Sequence, residues 1–407
     1  MRCFSCVYQI FFVILHHKQS VIMRKHIVFL LLVAAVMMLP SCNKYNLDKR
    51  AARFEKELAP FREQMENVGM SVVFVRENKI VYVHHFGVKN VDTQAPIDDE
   101  TMFRIASISK SFTATSLMQL VEQGIVSLKT DVSELAGFPI RNPKYPDTVI
   151  TLEMLMSHTS SLNDSEGYFT LDVVNPDCNP DWANCYNDYA PGCGYQYCNL
   201  NFNLCGTFLE KLSGERFDQY VVHHILNPLG LYGGYCVDSL DVSRFASLYS
   251  WDGERFECVD EEAYDPRSER IRNYRFGYDA PLFSPTGGMK LSAINLAKYM
   301  LMHMNYGTTP DGVTIISEES SKNMQTPRSD DEHYGLALWK TDLYSPGVVL
   351  TGHTGGAYGM RSAMFFHPEE KYGFVVISNG ARDIEEIDED NILLGTLKRM
   401  YQCFVAE

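Results

Sequence analysis

Ser107-Ile108-Ser109-Lys110 places a hydroxyl three residues before an amine. On a helix this spacing sets the two side chains about 60° apart and one turn from each other, so they meet. A serine hydroxyl is a weak nucleophile near neutral pH, and acyl transfer needs a neighbour to take its proton as the new bond forms. Lysine can be that neighbour only where burial or a nearby cation lowers its pKa. The run Phe103-Arg104-Ile105-Ala106 is apolar enough to seat the pair, and residues 111–118 continue as a helix. By itself the spacing is weak evidence: Ser127-Leu128-Lys129 misses it by one residue, and a capped helix start with a solvated lysine is the competing account. Two further motifs lie downstream. Tyr197-Cys198-Asn199 offers a phenol and an amide on a short turn or strand end, able to hold a proton and a substrate carbonyl. His353-Thr354-Gly355-Gly356 falls on a late strand, where glycine lets a substrate approach the backbone.

The elements that must position these motifs follow from periodicity. Residues 51–65 carry Phe54, Leu58, Phe61 and Met65 at amphipathic-helix spacing. β-Branched and aromatic runs at 70–75 and 80–86, joined by Arg76-Glu77-Asn78-Lys79, predict a hairpin. Strands are expected at 336–340, 348–351, 362–366 and 374–378, with helices at 292–304 and 387–401. Two early strands and several late ones, with no helices between them, predict an α/β fold of the α+β type, its one antiparallel sheet built from both chain ends and flanked by helices. Residues 131–284, rich in Pro, Asn, Asp and aromatics, read as an inserted, mostly helical and loop-rich half; 43–130 and 285–407 form the sheet-containing half of one catalytic unit. No internal repeat is visible.

A chain of 407 residues, 45% of them hydrophobic, can bury a large core. The formal charge is −15, and residues 1–42 hold four basic and no acidic side chains, so residues 43–407 come to −19. With no basic stripe, nucleic acid is excluded as a partner class. Met23 opens a basic start, an apolar run at 27–39 follows, and then Leu39-Pro40-Ser41-Cys42. That run suits a signal-peptide core better than a membrane span. The tetrapeptide resembles a bacterial lipoprotein cleavage site, which predicts lipid on Cys42, a true start at Met23, and a periplasmic or outer-membrane location. The competing account is a signal peptide cut elsewhere, or a membrane anchor. Eight further cysteines, Cys178, Cys185, Cys193, Cys198, Cys205, Cys236, Cys258 and Cys403, predict disulfides of undetermined connectivity in an exported chain; zinc is disfavoured because no pair has ligand spacing.

Taken in order, the motifs resemble the serine β-lactamase and penicillin-binding-protein family, in its class C-like branch. Residues 103–110 match the nucleophile helix. Leu155-Met156-Ser157-His158-Thr159-Ser160-Ser161-Leu162 is similar to that branch's L-L-x-H-T-S-G-L segment. Tyr197-Cys198-Asn199 matches Y-x-N, Ser284-Pro285-Thr286-Gly287-Gly288-Met289 resembles the glycine pair before a late helix, and Gly352-His353-Thr354-Gly355-Gly356 stands where the family carries K-T-G or H-T-G. The resemblance implies attack by Ser107 on an acyl carbonyl, with Lys110 and Tyr197 moving its proton, either being the base. It implies an oxyanion held by the backbone N–H groups of Ser107 and Gly356. Asn199 would steady the substrate amide, and His353, Thr354 and Gly355 would line its far side. No cofactor and no metal are implied.

Departures from the family narrow these expectations. His353 replaces the lysine of efficient class C β-lactamases, trading a fixed charge for a group mostly neutral at neutral pH. That favours carboxypeptidase, aminopeptidase and esterase activities. Arg361 is a second source of charge or a surface residue, and Ser161 stands where glycine is usual. Cys198 reads as disulfide-bonded or buried rather than reactive, and His158 as structural. His223-His224 has no acidic partner at metal-binding spacing, and the acidic run 383–390 reads as a solvated helix entrance. The expected function is an exported serine hydrolase working through an acyl-enzyme on a D-amino-acid peptide, β-lactam or small ester. The alternative is a cell-wall-binding or β-lactam-sensing protein of the same fold that does not turn over. Partners are a small-molecule or peptide substrate and, through Cys42, a membrane; the oligomeric state is open.

Overall fold

The computed structural model describes residues 46–329, 332–382 and 391–406. The N-terminal address with Cys42, and the acidic run 383–390, lie outside the described residues. Helix α1 (Leu47–Gln64) precedes a hairpin of β1 (Gly69–Arg76) and β2 (Lys79–Asn90), then the short β3 (Ala95–Pro96). Late in the chain come β9 (Trp339–Thr341), β10 (Leu350–Ala357), β11 (Met360–His367) and β12 (Tyr372–Gly380). These seven strands form one antiparallel sheet in the order β3-β2-β1-β12-β11-β10-β9. The first and last strands of the chain meet at its centre, β1 on β12, with Val72 opposite Val376. Every residue of β12 is buried, as a strand covered on both faces requires.

Helices cover both faces. On one, Phe54 of α1 packs on Tyr82 and on Phe404 of the closing helix α5 (Ile392–Phe404), with Phe404 stacked 4.8 Å from Phe74. Burying each such ring stabilises the fold by about 2 kcal/mol. The opposite face receives α4 (Ala293–Met304), whose Ser292 cap accepts from the Asn295 amide and whose Met300 lies against Gly373 of β12. Between these ends run α2 (Ser109–Glu122) and α3 (Asn199–Ser213), the latter stopped by Gly214 in the left-handed conformation at φ 73°. Short strands β4 (Met102–Arg104), β5 (Gly233–Gly234) and β8 (Lys290–Ser292) make a second sheet, ordered β4-β8-β5, and β6 (Tyr249–Trp251) pairs with β7 (Phe256–Cys258). From Ala51 onward the chain is one compact unit.

The antiparallel sheet flanked by helices is the architecture the strand pattern predicts. Boundaries differ where local pattern was silent. β10 runs through the glycines to Ala357, because its ladder with β11 continues as far as Ala357 opposite Met360. Residues 336–338 turn instead of extending, with the Gly335 amide bonded to the Leu338 carbonyl.

The expected disulfides are corrected by the structure. Cys178, Cys185, Cys193, Cys198, Cys205, Cys236 and Cys258 are free thiols. Three of the buried thiols have acceptors: Cys185 Sγ donates to the Val173 carbonyl, Cys198 Sγ to Asp164, and Cys403 Sγ to Glu57. No helix among the described residues is long and apolar enough to cross a membrane.

Candidate active site

β4 and β8 deliver the chain to Ser107. Their ladder ends at Arg104 opposite Lys290, and the Ile105 amide then bonds the Met289 carbonyl at 3.0 Å. Ala106 bends back at φ 44°, a left-handed conformation that costs a non-glycine residue about 1 kcal/mol or more. A single 3-10 turn, Ala106–Ile108, then feeds α2, which places Lys110 one turn above Ser107. Lys110 Nζ lies 3.1 Å from Ser107 Oγ. The lysine is fully buried, whereas Ser107 stays half-buried and reachable.

Three groups surround the amine: Ser107 Oγ, Asn199 Oδ1 at 2.9 Å and the Thr286 carbonyl at 3.0 Å. The carbonyl and the amide oxygen can only accept. A neutral amine has two protons and one lone pair, so with both protons committed its lone pair faces the serine hydroxyl. Burial pushes the Lys110 pKa down to about 7, against the opposing pull of Asp164 and Cys198. At neutral pH a large share of the amine is therefore the unprotonated base.

Asp164 imposes this orientation, and sequence spacing did not reveal it. Its Oδ2 accepts from the Asn199 amide N–H and from Asn199 Nδ2, both at 2.9 Å, and its Oδ1 accepts from the Leu200 N–H and the Cys198 thiol. The carboxylate thus caps α3 from 35 residues away and fixes which way the Asn199 amide points: nitrogen to Asp164, oxygen to Lys110. Thr286 Oγ1 donates to the same oxygen at 2.8 Å. A carboxylate two residues beyond Leu162 was visible, but nothing local tied it to residue 199.

Tyr197 lies beside the pair, with Lys110 Nζ 4.7 Å from its ring centroid. Its phenol oxygen is sealed from solvent and makes no hydrogen bond. Burial drives its pKa far above the ordinary phenol value, the nearby Ser107 hydroxyl opposing, so it carries a proton at neutral pH. The ring rests on His158, centroids 4.4 Å apart. His158 Nδ1 accepts from the Cys198 amide at 3.2 Å, so this histidine, held neutral by burial, props the Tyr197 turn rather than only its own loop.

β10 closes the other side. A Cβ on Gly355 would stand 3.1 Å from the Ser107 amide nitrogen, so glycine allows strand and nucleophile turn to touch. Gly356 is exposed on the same edge, opposite Arg361, whose Nη1 lies 3.4 Å from where a Gly356 Cβ would be. Thr354 is half-buried beside them. His353 is buried, and both its nitrogens are occupied: Nδ1 donates to the Thr354 carbonyl, leaving Nε2 to accept from Tyr334 Oη at 2.9 Å. Burial and the Lys110 charge push its pKa down to about 3, so it contributes no cation.

The structure therefore brings Ser107, Lys110, Tyr197, Asn199, Thr354, Gly355 and Gly356 around one point, with His353 set behind them. Ser161, where glycine was expected, sits at φ 63°, the left-handed geometry that glycine would adopt without strain. Cys198 is buried, and its pKa is pushed well up by burial and Asp164. His223 and His224 do have an acidic partner: both bond Glu215, His224 Nε2 at 2.9 Å, across eight and nine residues.

Penicillin-binding protein 4 of Amycolatopsis lactamdurans is 26% identical over 310 residues, covering 72% of this chain and 76% of that protein. Protein flp of Staphylococcus aureus is 21% identical, covering 76% of this chain; the match spans only 59% of flp. Among solved structures, the octameric penicillin-binding protein homologue from Pyrococcus abyssi superposes with a TM-score of 0.67 at 25% identity, over 86% of this chain and 76% of that one. The D-amino acid amidase of Ochrobactrum anthropi SV3 shares the fold at a TM-score of 0.68 and 19% identity, over 87% of this chain and 98% of its own. A class C β-lactamase does so at 0.69 and 18%, over 89% and 98%. The β-lactamase family profile matches residues 54–396, a span that contains the sheet, the Ser107–Lys110 pair, α3 and β10: this chain belongs to the β-lactamase family.

Proposed function

We propose that this chain is an exported serine hydrolase that forms an acyl-enzyme on Ser107 from a D-amino-acid peptide, a β-lactam or a small ester. The observation that carries the reading is Lys110 Nζ, 3.1 Å from Ser107 Oγ, with its other two hydrogen bonds held by obligate acceptors. In the acylation step the Ser107 proton passes to Lys110 as the Oγ–carbon bond forms. The negative charge gathers on the carbonyl oxygen, between the backbone N–H groups of Ser107 and Gly356, donors of a kind worth about 10²–10³ in rate each. The Tyr197 phenol gives its proton to the departing nitrogen or oxygen as that bond breaks, and recovers one from Lys110. Water then enters by the same route in reverse and releases the acid. Asn199 and Thr354 steady the substrate, and the neutral, buried His353 supports peptide, amide and ester substrates that need no fixed cation from that strand. Export rests on the signal-like residues 23–42, with lipid on Cys42 holding the enzyme at the periplasmic or outer-membrane surface.

The test is covalent labelling of the wild type and Ser107→Ala with a fluorescent penicillin and a fluorophosphonate, read by gel and intact mass. Label by both reagents on the wild type alone is expected. Absence of label from both, or equal labelling of Ser107→Ala, overturns the reading. A penicillin adduct that persists for hours would replace turnover by the binding or sensing role.

A further inference from the structure

Arg104 ends β4 three residues before Ser107, and its register partner on β8 is Lys290. Both cationic side chains are buried, at 6% and 2% exposure. Among the described residues neither has a carboxylate as a hydrogen-bond partner: Arg104 Nη1 donates to the Ala263 carbonyl at 3.2 Å and Lys290 Nζ to the Tyr235 carbonyl at 2.6 Å. Burial, with Arg104 and Arg267 nearby, holds the Lys290 pKa well below its ordinary value, Cys236 and Asp218 opposing. Arginine remains charged. The Tyr358 ring, 5.0 Å from the guanidinium carbon, gives it only partial compensation. Nε is sealed from solvent without a partner.

The end of this guanidinium comes near the residue preceding Ser107. A Cβ built on Gly287 would stand 3.8 Å from Arg104 Nη2, 3.8 Å from the Ala106 carbonyl carbon and 3.7 Å from Ser284 Oγ. These are ordinary contact distances, and the Gly287 φ lies outside the left-handed region, so neither crowding nor backbone strain requires glycine there. Its effect is to leave a methyl-sized space in contact with Nη2, within two contact distances of the residue preceding Ser107. Tyr358, in the turn after β10, and Tyr168, close enough for its phenol to be felt at Arg104, flank the same region.

We propose that Arg104 and the gap at Gly287 form an anion subsite of the acylation centre, which takes a carboxylate carried on the acyl part of the substrate. A guanidinium with no carboxylate hydrogen-bonded to it among the described residues suits a monoanion, and a buried charge is stabilised by an anion that reaches it. This deepens the hydrolase reading and rests on Ser107 as the acylated residue.

The test compares two esters of equal chain length, the p-nitrophenyl monoester of glutarate and p-nitrophenyl valerate, on wild type, Arg104→Gln and Gly287→Val. The wild type is expected to favour the anionic ester in kcat/KM by about ten- to hundred-fold, the scale of one charge-assisted hydrogen bond. In Arg104→Gln that ratio falls to about one. Gly287→Val, which fills the gap and leaves the guanidinium in place, lowers the ratio as well and covers a folding failure of the first variant. A wild-type ratio of one, or a ratio unchanged in both variants whatever happens to the absolute rates, overturns the proposal. If neither ester is turned over, glutarate decides it by thermal shift on Ser107→Ala. A rise in melting temperature that Ser107→Ala/Arg104→Gln lacks upholds the subsite while the hydrolase reading fails; no rise, or the same rise in both, overturns it.

Discussion

Replacing Asp164 with asparagine separates two effects that the carboxylate has on Lys110. Its charge reaches the amine through Asn199, with 2.9 Å from Asp164 Oδ2 to Asn199 Nδ2 and 2.9 Å from Asn199 Oδ1 to Lys110 Nζ. Across the amide this places the two charges roughly 7 Å apart, worth about 1–2 kcal/mol at an effective dielectric of 20–40, or about one pKa unit. Asp164 favours the ammonium, and Lys110 titrates near 7 with it present. Without that charge the ammonium is less stable, its pKa falls, and the amine is neutral at lower pH. The acidic limb of kcat/KM, set by protonation of the base, should therefore move from about pH 7 toward about pH 6. The plateau should drop by about 10- to 100-fold, because an asparagine at 164 no longer dictates which end of the Asn199 amide faces Lys110. The assay is a pH–rate series on a neutral ester from pH 5 to 9, with a melting curve to confirm folding. A limb that stays in place or moves upward, in a folded variant, would refute the electrostatic link between Asp164 and Lys110.

Lys110 also leaves a signature in stability. Its pKa is lowered in the folded state, so from about pH 7 to 10 the unfolded chain binds more protons and stability rises with pH through this group. Relative to Lys110→Met, the wild type should gain about 2 kcal/mol between pH 7 and pH 9 in urea unfolding; a flat difference would contradict the burial of the amine. Ala106→Gly relieves the left-handed bend before the nucleophile and should stabilise by about 0.5–1 kcal/mol; a loss of stability would mean that the bend carries no strain. Tyr334→Phe removes the donor to His353 Nε2 and should cost about 1–2 kcal/mol of stability while shifting the acidic limb by less than about half a unit; a large pH shift would show that His353 titrates in catalysis.

The Ser107–Lys110 pair was legible because helical spacing alone makes residues three apart neighbours, and the two need no distant partner to meet. The sheet was legible for a similar reason: alternating β-branched runs at 70–86 and 362–378 carry their own conformational preference, and with no helices between the late strands they had to pair antiparallel. The rest of the site was not local. Asp164 reaches Asn199 only because α3 folds back on the segment after His158. The Thr286 carbonyl meets Lys110 across 176 residues, and a backbone acceptor has no signature in side-chain pattern. Cysteine number and export suggested disulfides, yet bridging depends on which Cα atoms the fold brings within about 7 Å of each other, which spacing along the chain does not encode. His353 could be named from its motif, but its isolation behind the site comes from packing against Tyr334.

Residue identity and spacing by themselves determined which groups could react and which segments would be strands. Tertiary structure decided their protonation: the charge of Lys110, Tyr197 and His353 is set by how much water and how many fixed dipoles surround each. Those are sums over residues far apart in the chain, and no local stretch encodes them.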